Sequence, residues 1–272
     1  MPLQQEAKDL GREVAPEGPL TWCHGLDPGA PRTRAVGIPK KKRFIIAIDG
    51  PSGAGKSTVG RALARRLGYT YIDTGAMYRA VALKAKEQSI GTEDEEKLSR
   101  LALSLHIGFS NKDEETRVLC DGEDVTEAIR APDISLLASD ISKKQGVREA
   151  LVHKQREMGR RGGVVLEGRD IGTVVFPNAE AKFYLDAKPE ERAKRRFEER
   201  VGKQAKVEFK ETFEEVVQRD NNDMTRAISP LRKADDAAFI DSTHRSVEEV
   251  VEEMARMIDL RAVKTELSED KT

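Results

Sequence analysis

Gly50-Pro51-Ser52-Gly53-Ala54-Gly55-Lys56-Ser57 satisfies every fixed position of the pattern G-x-x-x-x-G-K-[ST]. The chemistry these types support is a grip on polyphosphate. Glycine lets backbone N–H groups wrap a β-phosphate closely, at φ angles other residues avoid. Lys56 sets a point charge against the β and γ oxygens, and Ser57 offers a hydroxyl to Mg²⁺. The helix that follows turns its positive N-terminus toward the anion. A dinucleotide fingerprint is excluded, because the third glycine after Gly53 and Gly55 would fall at Thr58. Gly50 through Ser57, with Thr58 behind them, is therefore the expected ATP-binding segment, and Ser57 the residue facing the metal.

Switches, hydrolytic ATPases and kinases all carry such a loop. Asn111-Lys112-Asp113-Glu114 approaches a guanine-reading N-K-x-D, but Glu stands fourth and the stretch reads better as a polar hairpin turn. Val164-Val165-Leu166-Glu167 ends an apolar run in a carboxylate, suited to orienting a metal-bound water or simply to bonding a neighbour. The arginines say more. A kinase with a phosphorylated acceptor must neutralise a second phosphate and the charge moving between the two. The planar guanidinium does this bidentately and stays charged. Arg79, Arg148 and Arg169 lie beside turns and strand ends, while Arg219, Asp223 and Arg226, at i, i+4 and i+7, share one helical face. Salt-bridge decoration would produce the same trio in a chain with 35% charged residues.

The elements that must position these groups follow an alternating order. FIIAID (44–49) reads as a buried strand. KSTVGRALARRLG (56–68) reads as a helix, with Val59, Leu63 and Leu67 on one face and Gly68 at its C-terminal cap. Strands are expected at 69–73, 163–168, 181–187 and 237–243, and helices at 77–88, 132–144, 147–160, 189–201, 212–226 and 246–260. Pro132 falls in the first turn of its helix, and Val247, Val250, Val251, Met254 and Met257 line one face of the last one. Such alternation predicts an α/β fold, a parallel sheet flanked by helices. Residues 105–125 break the rhythm and read as short antiparallel strands with polar turns.

Residues 1–39 hold six of the eleven prolines, five glycines and the single tryptophan, Trp22, without apolar periodicity. They read as a disordered extension; 263–272 reads as a polar tail. With 47 Lys+Arg against 48 Asp+Glu, a basic nucleic-acid surface is not expected. No apolar run approaches the roughly 18 residues of a membrane span. The N-terminus lacks the plan of a signal peptide, and Cys23 and Cys120 read as free thiols in a reducing, cytoplasmic compartment.

Ile48 to Ser57, Asp73-Thr74-Gly75-Ala76-Met77-Tyr78-Arg79, Val147-Arg148-Glu149-Ala150-Leu151 and GRDIGTVVFP (168–177) resemble bacterial cytidylate kinases. So do Arg219-Asp220 leading to Asp223 and Arg226, and Asp241-Ser242-Thr243. The resemblance spans about Arg43 to Leu260. It implies a P-loop NTPase-type core within a domain over 40–262, an acceptor (NMP-binding) insertion over about 74–160 carrying the antiparallel β piece, and a short lid over about 189–205. It implies transfer of the γ-phosphoryl of MgATP to CMP or dCMP by a monomer, without nucleic-acid or membrane partners. Arg79, Arg169 and Arg226 would hold the acceptor's phosphate. Thr74, Ser139, Arg148 and Asp170 would line the cytosine site, and Arg219 and Asp223 would contact the ribose. The lid's Arg192, Arg195 and Arg196 would close over the ATP phosphates, and Lys56, Arg169 and Arg226, with Arg192 and Arg196, would carry catalysis.

Overall fold

Residues 43–110, 116–202 and 207–269 are described by the computed structural model, with the backbone alone for 264–269. The elements below all belong to one unit, Lys41–Thr272. The extension expected over 1–39 and the hairpin turn at Asn111-Lys112-Asp113 lie outside the described residues.

Five strands form a parallel sheet in the order β2-β6-β1-β7-β8. They are β1 (Ile45–Asp49), β2 (Thr70–Asp73), β6 (Val164–Gly168), β7 (Ala181–Asp186) and β8 (Ala238–Asp241). β1 is central, paired with β6 on one edge and β7 on the other, and separate core clusters cover its two faces, Ile46 and Ile48 in one and Ala47 in the other. That is why Ile46, Ala47 and Ile48 form an uninterrupted apolar run with no exposed surface. Burying an aliphatic side chain this completely stabilises the fold by about 1.5–3 kcal/mol. On one face α1 (Lys56–Leu67) and α8 (Val247–Glu269) pack Val59, Leu63, Val250 and Met254 against Ile46, Ile48 and Phe183.

Between β2 and β6 the chain builds a second layer with its own core. It holds α2 (Thr74–Glu87), α3 (Glu95–Ser104), β3 (Ile107–Ser110), β4 (Arg117–Cys120), β5 (Glu123–Asp124), α4 (Pro132–Ile141) and α5 (Gln145–Gly159). β3, β4 and β5 form the antiparallel sheet expected for 105–125. Met77, Val81, Leu98, Ile129, Ile134, Ile141 and Leu151 are buried in this core. After β7 come α6 (Pro189–Gly202) and α7 (Phe209–Thr225), packed on each other.

Local chemistry explains several boundaries. Gly68 takes a left-handed φ of 63° and donates its N–H to Ala64 O and Arg65 O, closing α1 as expected. α2 begins at Thr74, three residues before the expected 77, because the Asp73 carboxylate caps it by accepting from Ala76 N at 2.9 Å. α3 has no counterpart in the sequence reading. Its inward stripe is just Leu98, Leu101 and Ala102, too short to stand out as a period. The polar tail begins as helix, since α8 continues to Glu269. GRDIGTVVFP contains a π-helical turn, Ile171–Val175, that no apolar period signals.

Candidate active site

The phosphate loop leaves β1 at its carboxyl end, where ligands of parallel α/β sheets gather. Gly50, Gly53 and Gly55 have φ of 152°, 78° and 89°. A Cβ on Gly50 would lie 1.9 Å from Leu185 O, and one on Gly53 2.9 Å from Arg192 O, so glycine is required sterically as well. Pro51, Ser52 and Ala54 are buried, Thr58 is exposed, and Ser57 is half-buried at the start of α1. Lys56 is 6% exposed and donates from Nζ to Pro51 O at 2.6 Å. Burial, reinforced by the nearby Arg169 guanidinium, brings its pKa down to about 7. A buried cation in that position is matched to an incoming anion.

Behind Ser57 stands Glu167, the last carboxylate of β6. Tyr71 Oη donates to Glu167 Oε1, and Thr74 Oγ1 donates to the Glu167 carbonyl at 2.6 Å. Burial and the neighbouring Asp73 raise the Glu167 pKa, while Ser57 opposes the shift. Glu167 Oε2 is buried without a hydrogen-bond partner. A serine hydroxyl beside an orphaned carboxylate oxygen fits Mg²⁺ held largely by phosphate oxygens and water. Among the described residues no group of three or more metal-binding side chains forms a separate metal site.

Arg192 differs from expectation. Its side chain is buried in a brace instead of lying over the loop. Nε donates to Ala187 O at 2.8 Å, and Nη1 donates to Ser52 O at 3.0 Å and pairs with Asp220 of α7 at 2.5 Å. Asp186 lies 3.6 Å from Nε. Arg195, expected to close over the phosphates with Arg192, stands beside the loop, its Nη1 3.7 Å from where a Cβ on Gly55 would lie. It donates to Ser242 Oγ and O, and Ser242 Oγ donates in turn to Ala54 O at 3.0 Å. Arg196 is half-buried, its pKa lowered by burial and by Arg200, with Arg169 also within electrostatic reach.

The other expected residues converge from α2, α4, α5, α7 and the end of β6. Arg79 on α2 pairs with Asp73 at 2.8 Å, leaving its buried Nε without a partner. Arg169, just past β6, donates from Nε to Asp223 Oδ2 at 2.7 Å. Asp223 stays below the usual carboxylate range although burial pulls the other way, because Arg169 pairs with it. Arg219 is brought down to about 10 by burial and then by Arg169, with Arg196 and Arg79 contributing. Arg226, at the end of α7, donates from Nε to Ser229 O at 2.6 Å, while its buried Nη2 lacks a hydrogen bond. Its pKa is lowered by burial and by Arg148.

Arg148 on α5 pairs with Asp170, both nearly buried, and Arg226 lies 4.0 Å from the same carboxylate. Arg148 Nη1 donates to Ser142 O at 3.4 Å, and Ser142 Oγ donates to the Ser139 carbonyl at 2.7 Å, so Ser139 joins this group through its neighbour. The sequence reading missed Tyr78. Its ring lies 5.9 Å from the Arg148 guanidinium, and burial pushes its hydroxyl up to about 12. Asp49 and Tyr71 were missed too, since each acts on a residue about a hundred positions away. Asp220 lay in view, three residues before Asp223.

Lys56, Arg79, Arg169 and Arg219 thus share one field, in which Arg169 and Arg219 act on Lys56 and Arg79 acts on Arg219. Cations gathered at that density in a protein interior fit more than one phosphate. Together with the loop on a parallel sheet, they define a P-loop phosphotransferase. Comparison with known proteins names the branch: the chain belongs to the cytidylate kinase family, whose pattern matches residues 46–260. Cytidylate kinase of Geobacter sp. (strain M21) is 50% identical over 226 residues, covering 83% of this chain and 97% of that protein. The Caldicellulosiruptor bescii cytidylate kinase is 50% identical over 83% of this chain and 100% of its own length. That of Bacillus subtilis is 46% identical over 82% and 99%.

Proposed function

We propose that this chain transfers the γ-phosphoryl group of ATP directly to a phosphate oxygen of CMP or dCMP, giving ADP and the nucleoside diphosphate. The observation that carries the reading is the second group of phosphate-seeking side chains, Arg79, Arg169 and Arg226, in the arginine field that reaches the Lys56 loop. Two of them hold buried guanidinium nitrogens without a hydrogen bond, Arg79 Nε and Arg226 Nη2. A switch or simple hydrolase needs no such second site.

In this reading the loop amides and Lys56 hold the β and γ phosphates, with adenine near the 241–245 loop. Ser57 would hold Mg²⁺ together with ATP oxygens, and Glu167 stands behind it. When bound, the metal supplies charge neutralisation across the β and γ phosphates. Arg79, Arg169 and Arg226 hold the acceptor phosphate in line with the γ-phosphorus. The bond from that phosphorus to the β–γ bridging oxygen breaks as the bond to the acceptor oxygen forms. That oxygen is already anionic at neutral pH, so no strong general base is required. Catalysis is positioning and charge neutralisation.

Thr74, Ser139, Arg148 and Asp170 line the cytosine pocket, where a carboxylate accepts from the exocyclic amine of cytosine and repels the carbonyl of uracil. Arg219 and Asp223 meet the ribose. The layer over 74–160 is the acceptor insertion, and α6 lies in the lid over 189–205. Arg192 serves there by holding Ser52 and Asp220 together, and Arg196 is a lid cation within electrostatic reach of Arg169 and Arg219. We place the protein as a cytoplasmic monomer in pyrimidine nucleotide metabolism. In keeping with this, no helix among the described residues is long and apolar enough to cross a membrane.

A coupled assay for ADP over CMP, dCMP, UMP, AMP and shikimate tests the assignment. CMP or dCMP should be preferred by kcat/KM. Preference for another acceptor would replace the substrate, and ATP binding without acceptor-dependent ADP would replace the activity.

A further inference from the structure

Asp49 lies at the joint between the phosphate loop and the acceptor pocket. It is the last residue of β1, directly before Gly50, and is 4% exposed. Its carboxylate crosses to the segment after β6. Oδ1 accepts from Ile171 N at 2.8 Å and Oδ2 from Gly172 N at 2.7 Å. These amides open the π-helical turn Ile171–Val175, whose other end bonds back to Asp170: Val174 N and Val175 N donate to the Asp170 carbonyl at 2.9 and 3.2 Å. Asp170 is therefore the residue on which the turn pivots. Its own backbone, at φ −149° and ψ 24°, belongs to neither strand nor helix.

We infer that Asp49 is a positioning residue for recognition of the acceptor base: by gripping two successive amides, its carboxylate sets the place from which Asp170 and its partner Arg148 meet the ring. The inference rests on the reading of Asp170 as the base-contacting group. A carboxylate suits the task because it offers acceptors on both oxygens to two parallel N–H groups. Burial raises the Asp49 pKa to about 6, with the Ile171 and Gly172 amides opposing that rise and Asp170 adding to it. Gly172 is part of the device, because a Cβ there would lie 3.3 Å from Asp49 Oδ2 and 3.2 Å from Lys182 Cδ. The same residue ends the strand that carries the phosphate loop, so a single side chain ties the root of the donor site to the acceptor site.

The test compares wild type, Asp49→Asn, Gly172→Ala and Asp170→Ala in steady-state assays with CMP and with UMP at saturating ATP, with thermal melts alongside. Asparagine keeps the shape but faces one amide N–H with its own NH₂. Asp49→Asn should raise KM for CMP about tenfold while kcat stays within about twofold, and should lower the CMP-to-UMP ratio of kcat/KM about tenfold. Gly172→Ala should lower that ratio about threefold. A purely structural Asp49 would lower the melting temperature and leave the ratio alone. If Asp170→Ala lowers the ratio and Asp49→Asn leaves it unchanged, the positioning role is overturned and the base-reading role survives. If Asp170→Ala itself leaves the ratio unchanged, both are overturned. Should Asp49→Asn not fold, Gly172→Ala decides by the same ratio.

Discussion

The phosphate loop and the arginine cluster face the same small space but are made of different material. The loop is a run of eight consecutive residues that works through its backbone, and its side-chain requirements are largely negative: no Cβ at Gly50, where Leu185 O would be 1.9 Å away. The cluster is made of side chains that begin on α2, α5, the end of β6 and α7, and it comes into being only when those elements dock. The loop's grip is therefore carried by one continuous stretch of backbone, braced from outside by Arg192 at Ser52 and by Ser242 at Ala54. The cluster's function depends on carboxylates such as Asp73, Asp170 and Asp223, which hold mutually repelling cations in fixed places.

That contrast can be broken at the cluster first. Arg226→Ala should lower kcat/KM for CMP by about 10³-fold, the scale of losing a charge-stabilising arginine in phosphoryl transfer. Its melting temperature should shift by less than about 4 °C. Near-normal turnover would remove Arg226 from the acceptor site. At the loop, Gly50→Ala should weaken ATP binding about a hundredfold through displaced backbone, with a measurable fall in melting temperature. Unchanged affinity by calorimetry would show that the loop tolerates a Cβ at its root. Asp170→Ala should reduce discrimination between CMP and UMP about tenfold, the scale expected when a polar base contact is lost. A constant ratio in the same assay would leave the cytosine preference to other residues.

The smallest effect concerns protons. Lys56 titrates near 7 in the folded protein against 10.5 ordinarily. The unfolded chain therefore binds more protons between those values, and the nucleotide-free protein should gain stability from this group as pH rises through that window. A polyphosphate beside Lys56 restores its charge, so ATP binding near pH 8 should take up close to about one proton, falling toward none near pH 6. Calorimetry in buffers of different ionisation heat measures this. No uptake at pH 8 would mean that Lys56 is already charged among the arginines.

Legibility followed the physical range of each interaction. α1 was readable because its start, stripe and stop, from Lys56 to Gly68, lie within one stretch. β1 was readable because a central parallel strand is apolar on both faces. α3 was not, having just three inward residues and a tertiary reason to be helical. Arg169 and Arg226 could be listed as phosphate-seeking from type and context. Arg192 came only from the resemblance, and nothing nearby showed that Ser52 and Asp220 would enclose its guanidinium.

By itself the sequence determined the phosphate loop, the alternating α/β plan and the family. Backbone conformation, apolar period and motif spacing are properties of neighbouring residues, and they stand in the chain before it folds. The tertiary structure alone decided which charges meet. Asp49 reaches Ile171, Tyr71 reaches Glu167, and Arg169 reaches Asp223 across gaps of 122, 96 and 54 residues. Coulomb and hydrogen-bond energies at those contacts depend on distances of a few ångströms, which only the packing of β1, β2, β6 and α7 sets.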